Sequence, residues 1–439
     1  MHQAWLKILP VRLRSKIQAR PNLQKILDNT GWLFADRFIR LGMGLVVGVW
    51  VARYLGPEQF GLMNYAMAIV CMFGAIAGLG LNGIVVRDLV KEPDSVNITL
   101  GTAFSLQFIS GLLVFVLAVI AINFARPDDT LSKLIVAILG FAIVFKATDV
   151  VKYWFESQTR SKYTVWVENG VFIVLSAVKV GLILAQASLL AFVWAALAET
   201  ALAAILLLLL YAKKVGRLSH WRASLARAKQ MLVESWPLIL SSVASLINMR
   251  MDQIMLGAMT SNSVVGNYSA AVRISEVWFI IPGILGASIF PTIIAAKQNS
   301  EAIYRKRILQ VSYYMALAIL PTALVISLEA HVIANFLYGK QYASAGGYLA
   351  ILIWSGVPYL VFFVFNQMYY IENLLRISLY TALFALISNI SLNLLLIPVY
   401  GGTGAAVATL VTAFGASAIS LMLLNSKTGI FWGHQREKK

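Results

Sequence analysis

The sequence predicts an all-α integral membrane protein with about twelve transmembrane helices, in two six-helix pseudo-symmetric halves around a central cleft. Three observations support this fold class: the composition, the recurrence of long apolar segments, and the placement of the basic residues. Hydrophobic residues make up 59% of the 439 residues and charged residues only 13%, with a mean hydropathy of +0.77. Soluble proteins carry about 25% charged residues, so this composition indicates a chain embedded in lipid.

Apolar segments of about 20 residues, the length that crosses a bilayer, recur along the whole chain. Backbone groups in lipid must find their hydrogen-bond partners within the protein, so each segment is predicted to be a helix. The predicted spans are 32–52, 61–82, 98–122, 131–151, 164–185, 188–211, 235–258, 268–295, 309–329, 346–370, 377–397 and 402–424.

The basic residues set the predicted orientation. The net charge is +17, and most of the 36 Lys and Arg residues fall in the two termini and in alternate loops. The positive-inside rule assigns those segments to the cytoplasm, and both termini with them. Because topology explains the excess of positive charge, we predict no nucleic-acid partner.

The basic segments also divide the chain into predicted regions. These are a basic amphipathic cytoplasmic N-terminus, an N-terminal six-helix lobe, a basic cytoplasmic linker, a C-terminal six-helix lobe and a basic cytoplasmic tail, at 1–31, 32–211, 212–234, 235–424 and 425–439. Because each lobe has six helices, the second lobe starts from the cytoplasmic side like the first. The lobes are therefore predicted to be parallel repeats, with the substrate between them.

A short internal repeat in the sequence supports the prediction of two related lobes. Gly61 shortly precedes an Asn-Tyr pair at 64–65, and Gly266 directly precedes an Asn-Tyr pair at 267–268. A glycine at such a position allows a helix to pack closely against its neighbour. We therefore expect Gly61 to begin its helix beside a close neighbour.

Two motifs carry a family resemblance. The loop 54–61, Tyr-Leu-Gly-Pro-Glu-Gln-Phe-Gly, predicts a turn at its Gly-Pro pair. Near the C-terminus, Asn389 and Asn393 precede the run 397–406, Ile-Pro-Val-Tyr-Gly-Gly-Thr-Gly-Ala-Ala, in which Pro398 predicts the end of a helix before a tight hairpin. Together they resemble the multidrug/oligosaccharidyl-lipid/polysaccharide exporter superfamily, and within it the Wzx-type flippases of polysaccharide biosynthesis.

Cations within the apolar helices are the candidates for binding an anionic head group. Each costs roughly 2.5–3.5 kcal/mol at the bilayer centre, so a partner, a water-filled cavity or an anionic ligand is expected. The family resemblance implies that the first and seventh helices line the cleft, with Arg37 and Arg250 facing each other. The candidates are Arg37, Arg250, Lys179, Arg273 and Arg40.

Acidic residues in the same helices are candidates for coupling transport to an ion. They are Asp252, Glu199, Asp36 and Glu276. Spacing leaves a second interpretation open, because Asp36 with Arg40 and Glu276 with Arg273 share helix faces and can neutralise each other. Asp252 and Glu199 lack such a partner, and an ion pair between helices with Arg250 or Lys179 is the alternative to ion transport.

The resemblance implies a flippase that moves an undecaprenyl-diphosphate-linked oligosaccharide from the cytoplasmic to the outer leaflet of a bacterial inner membrane by alternating access. The pathway would make O-antigen, capsule or exopolysaccharide, with a polymerase and a chain-length regulator as partners. The alternatives are a drug/sodium antiporter of the same superfamily, a lipid II flippase, and a membrane glycosyltransferase or polymerase. Cys71 is the only cysteine, and no glycine loop followed by Lys-Ser/Thr occurs. We therefore predict no enzyme activity, no metal centre and no cofactor.

Overall fold

The computed structural model describes residues 21–276, 293–294, 296–372 and 374–429. Within those ranges the regular structure is helical and contains no strand, which confirms the predicted all-α class. Residues 1–20 of the predicted amphipathic N-terminus, 277–292 of the predicted eighth span and 430–439 of the predicted tail lie outside the described residues.

Helices make up most of the described chain. In chain order they are α1 (Pro21–Ala77), α2 (Asn82–Lys91), α3 (Val96–Ala125), α4 (Thr130–Phe141), α5 (Asp149–Ser157), α6 (Lys162–Leu184), α7 (Leu189–Lys214), α8 (Leu225–Met259), α9 (Asn262–Ser275), α10 (Glu301–Leu328), α11 (Ala330–Tyr338), α12 (Ala343–Leu352), α13 (Gly356–Ile371) and α14 (Leu375–Thr428). Shorter 3₁₀ segments lie at Pro93–Ser95, Ala142–Thr148, Leu218–His220, Lys340–Tyr342 and Ile353–Ser355.

Eight stretches of the described chain are long and apolar enough to cross a membrane. Two of them, Phe38–Lys91 and Arg376–Thr428, contain 54 and 53 residues. As single helices they would measure about 80 Å, against a hydrocarbon core of about 30 Å. Each contains a break in its helix, so each holds more than one pass. The total of twelve passes stays a prediction.

Glycines make both breaks. Gly56 in α1 has φ 71° and ψ 169°, and Gly401 in α14 has φ 54° and ψ −131°. Positive φ is accessible to glycine without a steric penalty, and Pro57 then begins the next helical segment, where its missing N–H is not needed. The predicted turn at residues 56–57 is confirmed. The predicted helix end at Pro398 is displaced to Gly401, because a backbone reversal needs the glycine and the proline stays inside the last turns.

Two predicted spans are interrupted. The span predicted at 131–151 is α4 followed by the 3₁₀ segment Ala142–Thr148, and the span predicted at 346–370 contains the 3₁₀ segment Ile353–Ser355 between α12 and α13. The tighter 3₁₀ turn changes the position of the side chains that follow it. Apolar length alone predicted these spans and could not show where they are interrupted.

Part of the predicted linker 212–234 is ordered against the chain between the second and third predicted spans. The Arg222 N–H donates to the Asn97 carbonyl at 3.1 Å. The Arg227 guanidinium lies 3.1 Å from Asp88, whose side chain is only 8% exposed. This part of the linker therefore packs against residues 88–97.

The described chain forms two compact units, and each combines segments that are distant in sequence. Unit 1 contains the described residues up to Gly48, Ile76–Ala121 and Ala137–Ile239, and unit 2 contains Val49–Ala75, Ile122–Val136 and the described residues from Leu240 onward.

Each unit has its own apolar core. The core of unit 1 includes Leu81, Ile84, Val85, Leu89, Leu100, Ala103, Val150, Val151, Tyr153, Phe155, Leu207, Tyr211 and Met231. The core of unit 2 includes Ile293, Ala296, Tyr304, Ile308, Met315, Phe365, Met368, Tyr369, Ile377 and Leu424. Large apolar side chains also face outward, such as Phe124 at 84% exposed and Leu395 at 69%. Exposed apolar surface on long helices is what a lipid environment covers.

In unit 2 the two glycines of the internal repeat, Gly61 and Gly266, pack against each other. A Cβ built on Gly61 would lie 1.7 Å from the Asn262 carbonyl oxygen and 2.7 Å from the Gly266 nitrogen. A Cβ built on Gly266 would lie 2.0 Å from the Pro57 carbonyl oxygen. The segment after the break in α1 therefore meets α9 backbone to backbone. The predicted close packing at Gly61 is confirmed, and Gly266 is the glycine that faces it on α9.

Candidate functional site

Asp252 on α8 is the centre of a buried polar cluster in unit 2. Its side chain accepts four hydrogen bonds. The Oδ1 atom accepts from Asn389 Nδ2 at 3.0 Å and from Asn393 Nδ2 at 2.7 Å. The Oδ2 atom accepts from the Tyr268 hydroxyl at 2.6 Å and from the Thr409 hydroxyl. We call these five residues the Asp252 cluster.

The hairpin in α14 brings three members of the Asp252 cluster together. Asn389 and Asn393 are one helical turn apart before the break at Gly401, and Thr409 follows it. A Cβ on Gly404 would lie 2.3 Å from the Leu396 carbonyl oxygen, so the two arms of the hairpin touch there. The small residues after the break therefore bring both arms to the same carboxylate.

The chemistry of the Asp252 cluster suits a small cation or a proton. Asp252 is 7% exposed, and all four of its donors are neutral. Within the described part of the chain no basic side chain pairs with it. Neutral hydrogen bonds offset only part of the cost of burying a carboxylate. Asn393 Oδ1 is also buried without a hydrogen-bond partner in the described structure, so an acceptor oxygen is left over beside the acid.

Four of the predicted site residues form two ion pairs between helices. Lys179 on α6 lies 2.7 Å from Glu199 on α7. Arg250 on α8 lies 3.5 Å from Glu276, just after α9. The sequence left open an ion pair of Lys179 or Arg250 with Glu199 or Asp252, and the structure forms the Lys179–Glu199 pair. Arg250 pairs instead with Glu276, which the sequence had assigned to Arg273. The side chains of Arg250 and Lys179 remain 27% and 21% exposed.

A longer chain of charges runs through unit 1. Arg40 lies 2.8 Å from Asp36 on its own helix and 3.6 Å from Glu168 on α6. Lys152 on α5 lies 2.7 Å from Glu168 and 2.8 Å from Asp149. The predicted Asp36–Arg40 pair is confirmed, but it is one end of this five-residue ionic ladder.

The remaining predicted cations are placed less fully. Arg37 lies in α1, but its side chain is outside what the structure describes. Arg273 is exposed at the end of α9, close enough to Tyr338 to act electrostatically on its hydroxyl. The acid expected to neutralise Arg273, Glu276, lies beside Arg250.

A third charged group holds the segment between α3 and α4. Arg126 donates from Nη2 to the Gly257 carbonyl at 2.6 Å, and its guanidinium lies 4.2 Å from the centre of the Tyr65 ring. Its Nη1 lies 3.1 Å from Asp129, which also accepts a 2.9 Å hydrogen bond from the Ser132 N–H. Burial opposes ionisation of Asp129, but the hydrogen bonds from Ser132 and Arg126 outweigh it and lower the pKa of this carboxyl.

Replacing Asp129 with asparagine is expected to lower the thermal unfolding midpoint at neutral pH. A folded-state pKa below the unfolded one contributes stability that is present above the unfolded pKa and lost as pH falls through the folded one. The difference from wild type should therefore shrink below about pH 4. Unfolding scans in detergent across the acid range measure it, with exposed Asp128→Asn as control. A difference that stays constant with pH would contradict this account.

Several residues of these sites were not predicted as site residues from the sequence. Glu168 and Lys152 are separated by 16 residues and lie on different helices, so helical spacing cannot pair them. Asn389 and Asn393 were visible as polar residues one turn apart on an apolar helix. That spacing was the signal that could have marked them as partners of an intramembrane acid.

Comparison with known proteins identifies a matching family and similar proteins of glycan biosynthesis. The profile of a family described as polysaccharide biosynthesis protein matches residues 26–297. The chain is 24% identical over 408 residues to the probable flippase AglR of Haloferax volcanii, covering 92% of this chain and 84% of that protein. It is 24% identical over 345 residues to the succinoglycan biosynthesis transport protein ExoT of Rhizobium meliloti, covering 76% and 67%.

Solved structures share the fold. The lipid II flippase MurJ in an inward closed conformation superposes with a TM-score of 0.73 at 16% identity, over 90% of this chain and 87% of that one. An inward-facing multidrug resistance MATE family transporter of the MOP superfamily superposes with a TM-score of 0.69 at 15% identity, over 90% and 96%. Both relatives are transporters, and the all-α membrane fold of this chain is theirs.

Proposed function

We propose that this chain, which belongs to the polysaccharide biosynthesis protein family, is a flippase of the multidrug/oligosaccharidyl-lipid/polysaccharide exporter superfamily and carries an undecaprenyl-diphosphate-linked oligosaccharide. The observation that carries this proposal is a set of partly exposed cations on apolar helices. Arg40, Arg250 and Lys179 are 35%, 27% and 21% exposed. Cations kept accessible in an apolar environment suit an anionic cargo.

The diphosphate is the part of the cargo that these cations would recognise. Arginine presents several N–H donors in a planar fork that matches phosphate oxygens, and a poorly solvated site strengthens the attraction. We propose Arg37, Arg40, Lys179, Arg250 and Arg273 as the head-group residues. The polyprenyl tail would remain in the bilayer while the head group crosses.

We also propose that Asp252 couples this movement to an ion. Its carboxylate is buried among neutral donors, so occupation by a proton or a sodium ion would remove an uncompensated charge. Glu199, Asp36 and Glu276 are the other acids of the sequence prediction, and each contacts a cation. Their ion pairs make them weaker candidates for coupling than Asp252.

The transport cycle that fits is alternating access between two six-helix lobes, at 32–211 and 235–424, in a bacterial inner membrane with both termini cytoplasmic. A polymerase and a chain-length regulator would act on the product at the outer leaflet. ExoT, which is named for succinoglycan biosynthesis, supports an exopolysaccharide pathway of this kind.

The test is translocation of a fluorescent undecaprenyl-diphosphate-linked glycan in proteoliposomes. Arg250→Ala and Arg37→Ala are expected to lower the rate by about ten- to a hundredfold, the cost of losing a hydrogen-bonded contact to a charged group. Lys229→Ala, which removes an exposed cation of the linker, is the matched control.

The outcomes separate the alternatives. Transport of a cationic dye against a proton or sodium gradient, without movement of lipid-linked glycan, would support the drug antiporter. Movement of lipid II with no other glycan would support the lipid II flippase. An active wild type with fully active Arg250→Ala and Arg37→Ala would keep the flippase and discard these residues as its site.

A further inference from the structure

Glu168 is the carboxylate through which two cations of unit 1 meet. Its Oε1 lies 2.7 Å from Lys152 Nζ, and its Oε2 lies 3.6 Å from Arg40 Nη2. Two oxygens of one group thus bridge two cations that stand on different helices. A phosphate also presents several oxygens from one central atom, and arginine and lysine are its usual partners.

Each cation keeps a second acid close to it in sequence. Arg40 has Asp36 four residues earlier at 2.8 Å, and Lys152 has Asp149 three residues earlier at 2.8 Å. Glu168 is therefore the one member of the ionic ladder that links the helices. Moving it away would leave each cation with its local acid and open one shared position between them.

The charges of the ionic ladder favour an anion at that position only when Glu168 has moved away. With Glu168 in place the ladder holds three acids and two bases, so it repels a further anion. Without Glu168 the acids and bases balance. Phosphate attracts both cations more strongly than a carboxylate does, because it carries more charge and more acceptor oxygens.

The site is accessible and partly preorganised. The side chains of Arg40, Lys152 and Glu168 are 35%, 33% and 21% exposed. The Arg40 guanidinium lies 5.6 Å from the centre of the Phe172 ring, one turn beyond Glu168 on α6. That contact holds the guanidinium near α6 when the carboxylate leaves it.

We propose that Glu168 is an internal stand-in for a phosphate of the lipid-linked cargo. The diphosphate displaces it and bridges Arg40 and Lys152 in its place. This inference rests on the proposed function, because it assigns the head group of that cargo to these residues. In the predicted topology Arg40 and Glu168 lie toward the cytoplasmic ends of their helices, the side from which the cargo is loaded.

The test measures binding of inorganic diphosphate to the purified protein by calorimetry. Glu168→Gln removes the competing charge and keeps the side-chain size, so the dissociation constant is expected to fall about three- to tenfold, as two partly exposed ion pairs allow. Adding Lys152→Gln to that variant should abolish the gain. An undecaprenyl-diphosphate-linked glycan that competes at lower concentration than inorganic diphosphate would assign the site to the lipid-linked head group.

Glu372→Gln is the matched control. Glu372 lies 2.8 Å from Lys297, which also has a local acid, Glu301, at 2.9 Å. The control removes the same charge from a similar arrangement in unit 2 and should leave the dissociation constant unchanged. Equal tightening in both variants would show a general charge effect and overturn the proposal.

A purely structural role would give another result. Glu168→Gln would then lower the thermal unfolding midpoint and leave diphosphate binding as in wild type, which would also overturn the proposal. If wild type translocates the lipid-linked glycan in that case, the proposed function stands and only the role of Glu168 falls. If wild type neither binds nor moves that glycan, the proposed function itself falls.

Discussion

Replacing Asp252 with asparagine is expected to slow ion-driven translocation strongly while leaving the protein as stable as wild type or more stable. The substitution removes a carboxylate that is 7% exposed and has only neutral donors around it. Loss of the charged ligand should lower the rate by about ten- to a hundredfold. Removing an uncompensated buried charge should leave the unfolding midpoint unchanged or raise it. Activity is therefore expected to fall while stability is kept or gained.

The measurement combines proteoliposome translocation under an imposed proton or sodium gradient with thermal unfolding in detergent. Asp252→Glu is the control, because it keeps the charge and adds one methylene to a packed site. It should retain part of the gradient response that Asp252→Asn loses. Full gradient-dependent activity in Asp252→Asn would remove Asp252 from the coupling mechanism.

Gly61→Ala and Gly266→Ala are expected to be the most destabilising single-methyl additions in unit 2. Their new Cβ atoms would lie 1.7 Å and 2.0 Å from carbonyl oxygens of the facing segment. Ordinary carbon–oxygen contacts are about 3.3–3.6 Å, so the segments must separate by more than about 1 Å. Overpacking of this kind costs about 1–3 kcal/mol, which lowers the unfolding midpoint by about 2–12 °C.

Gly170→Ala is the control for these variants. Gly170 lies in α6, and a Cβ built on it has nothing within 4 Å. Alanine there gains helix propensity without a clash, so its midpoint should equal or exceed that of wild type. If Gly61→Ala unfolds at the same temperature as Gly170→Ala, the backbone contact between α1 and α9 does not hold the protein together.

Local chemistry in the sequence predicted much of the fold. Long apolar segments predict helices in any chain that must satisfy its backbone in lipid. The Gly-Pro pair at 56–57 placed one break correctly, and the boundary between the predicted spans 164–185 and 188–211 coincides with the connection between α6 and α7. The prediction from Pro398 was three residues early, because a proline can remain in the last turns of a helix and the positive φ of the reversal is taken by Gly401.

The site was predictable only in part. An acid or a cation in an apolar helix is costly wherever it lies, so sequence alone could select Lys179, Glu199, Arg250 and Asp252. The partner of each depends on which helices pack together, and no helical period encodes that. Glu168 was missed for a second reason. It lies near a predicted membrane boundary, where a charged residue is ordinary.

The distance in sequence between the segments of unit 2 has a consequence for how the protein assembles during translation. Val49–Ala75 packs with residues from Leu240 onward, about 165 residues later in the chain. At synthesis rates of about 5–20 residues per second, the early segment waits roughly 8–33 s for its partners to leave the ribosome. During that interval Gly61 lacks the α9 backbone against which it packs in the finished protein. The first segments of this chain therefore reach their final partners after insertion, and not in the order in which they are made.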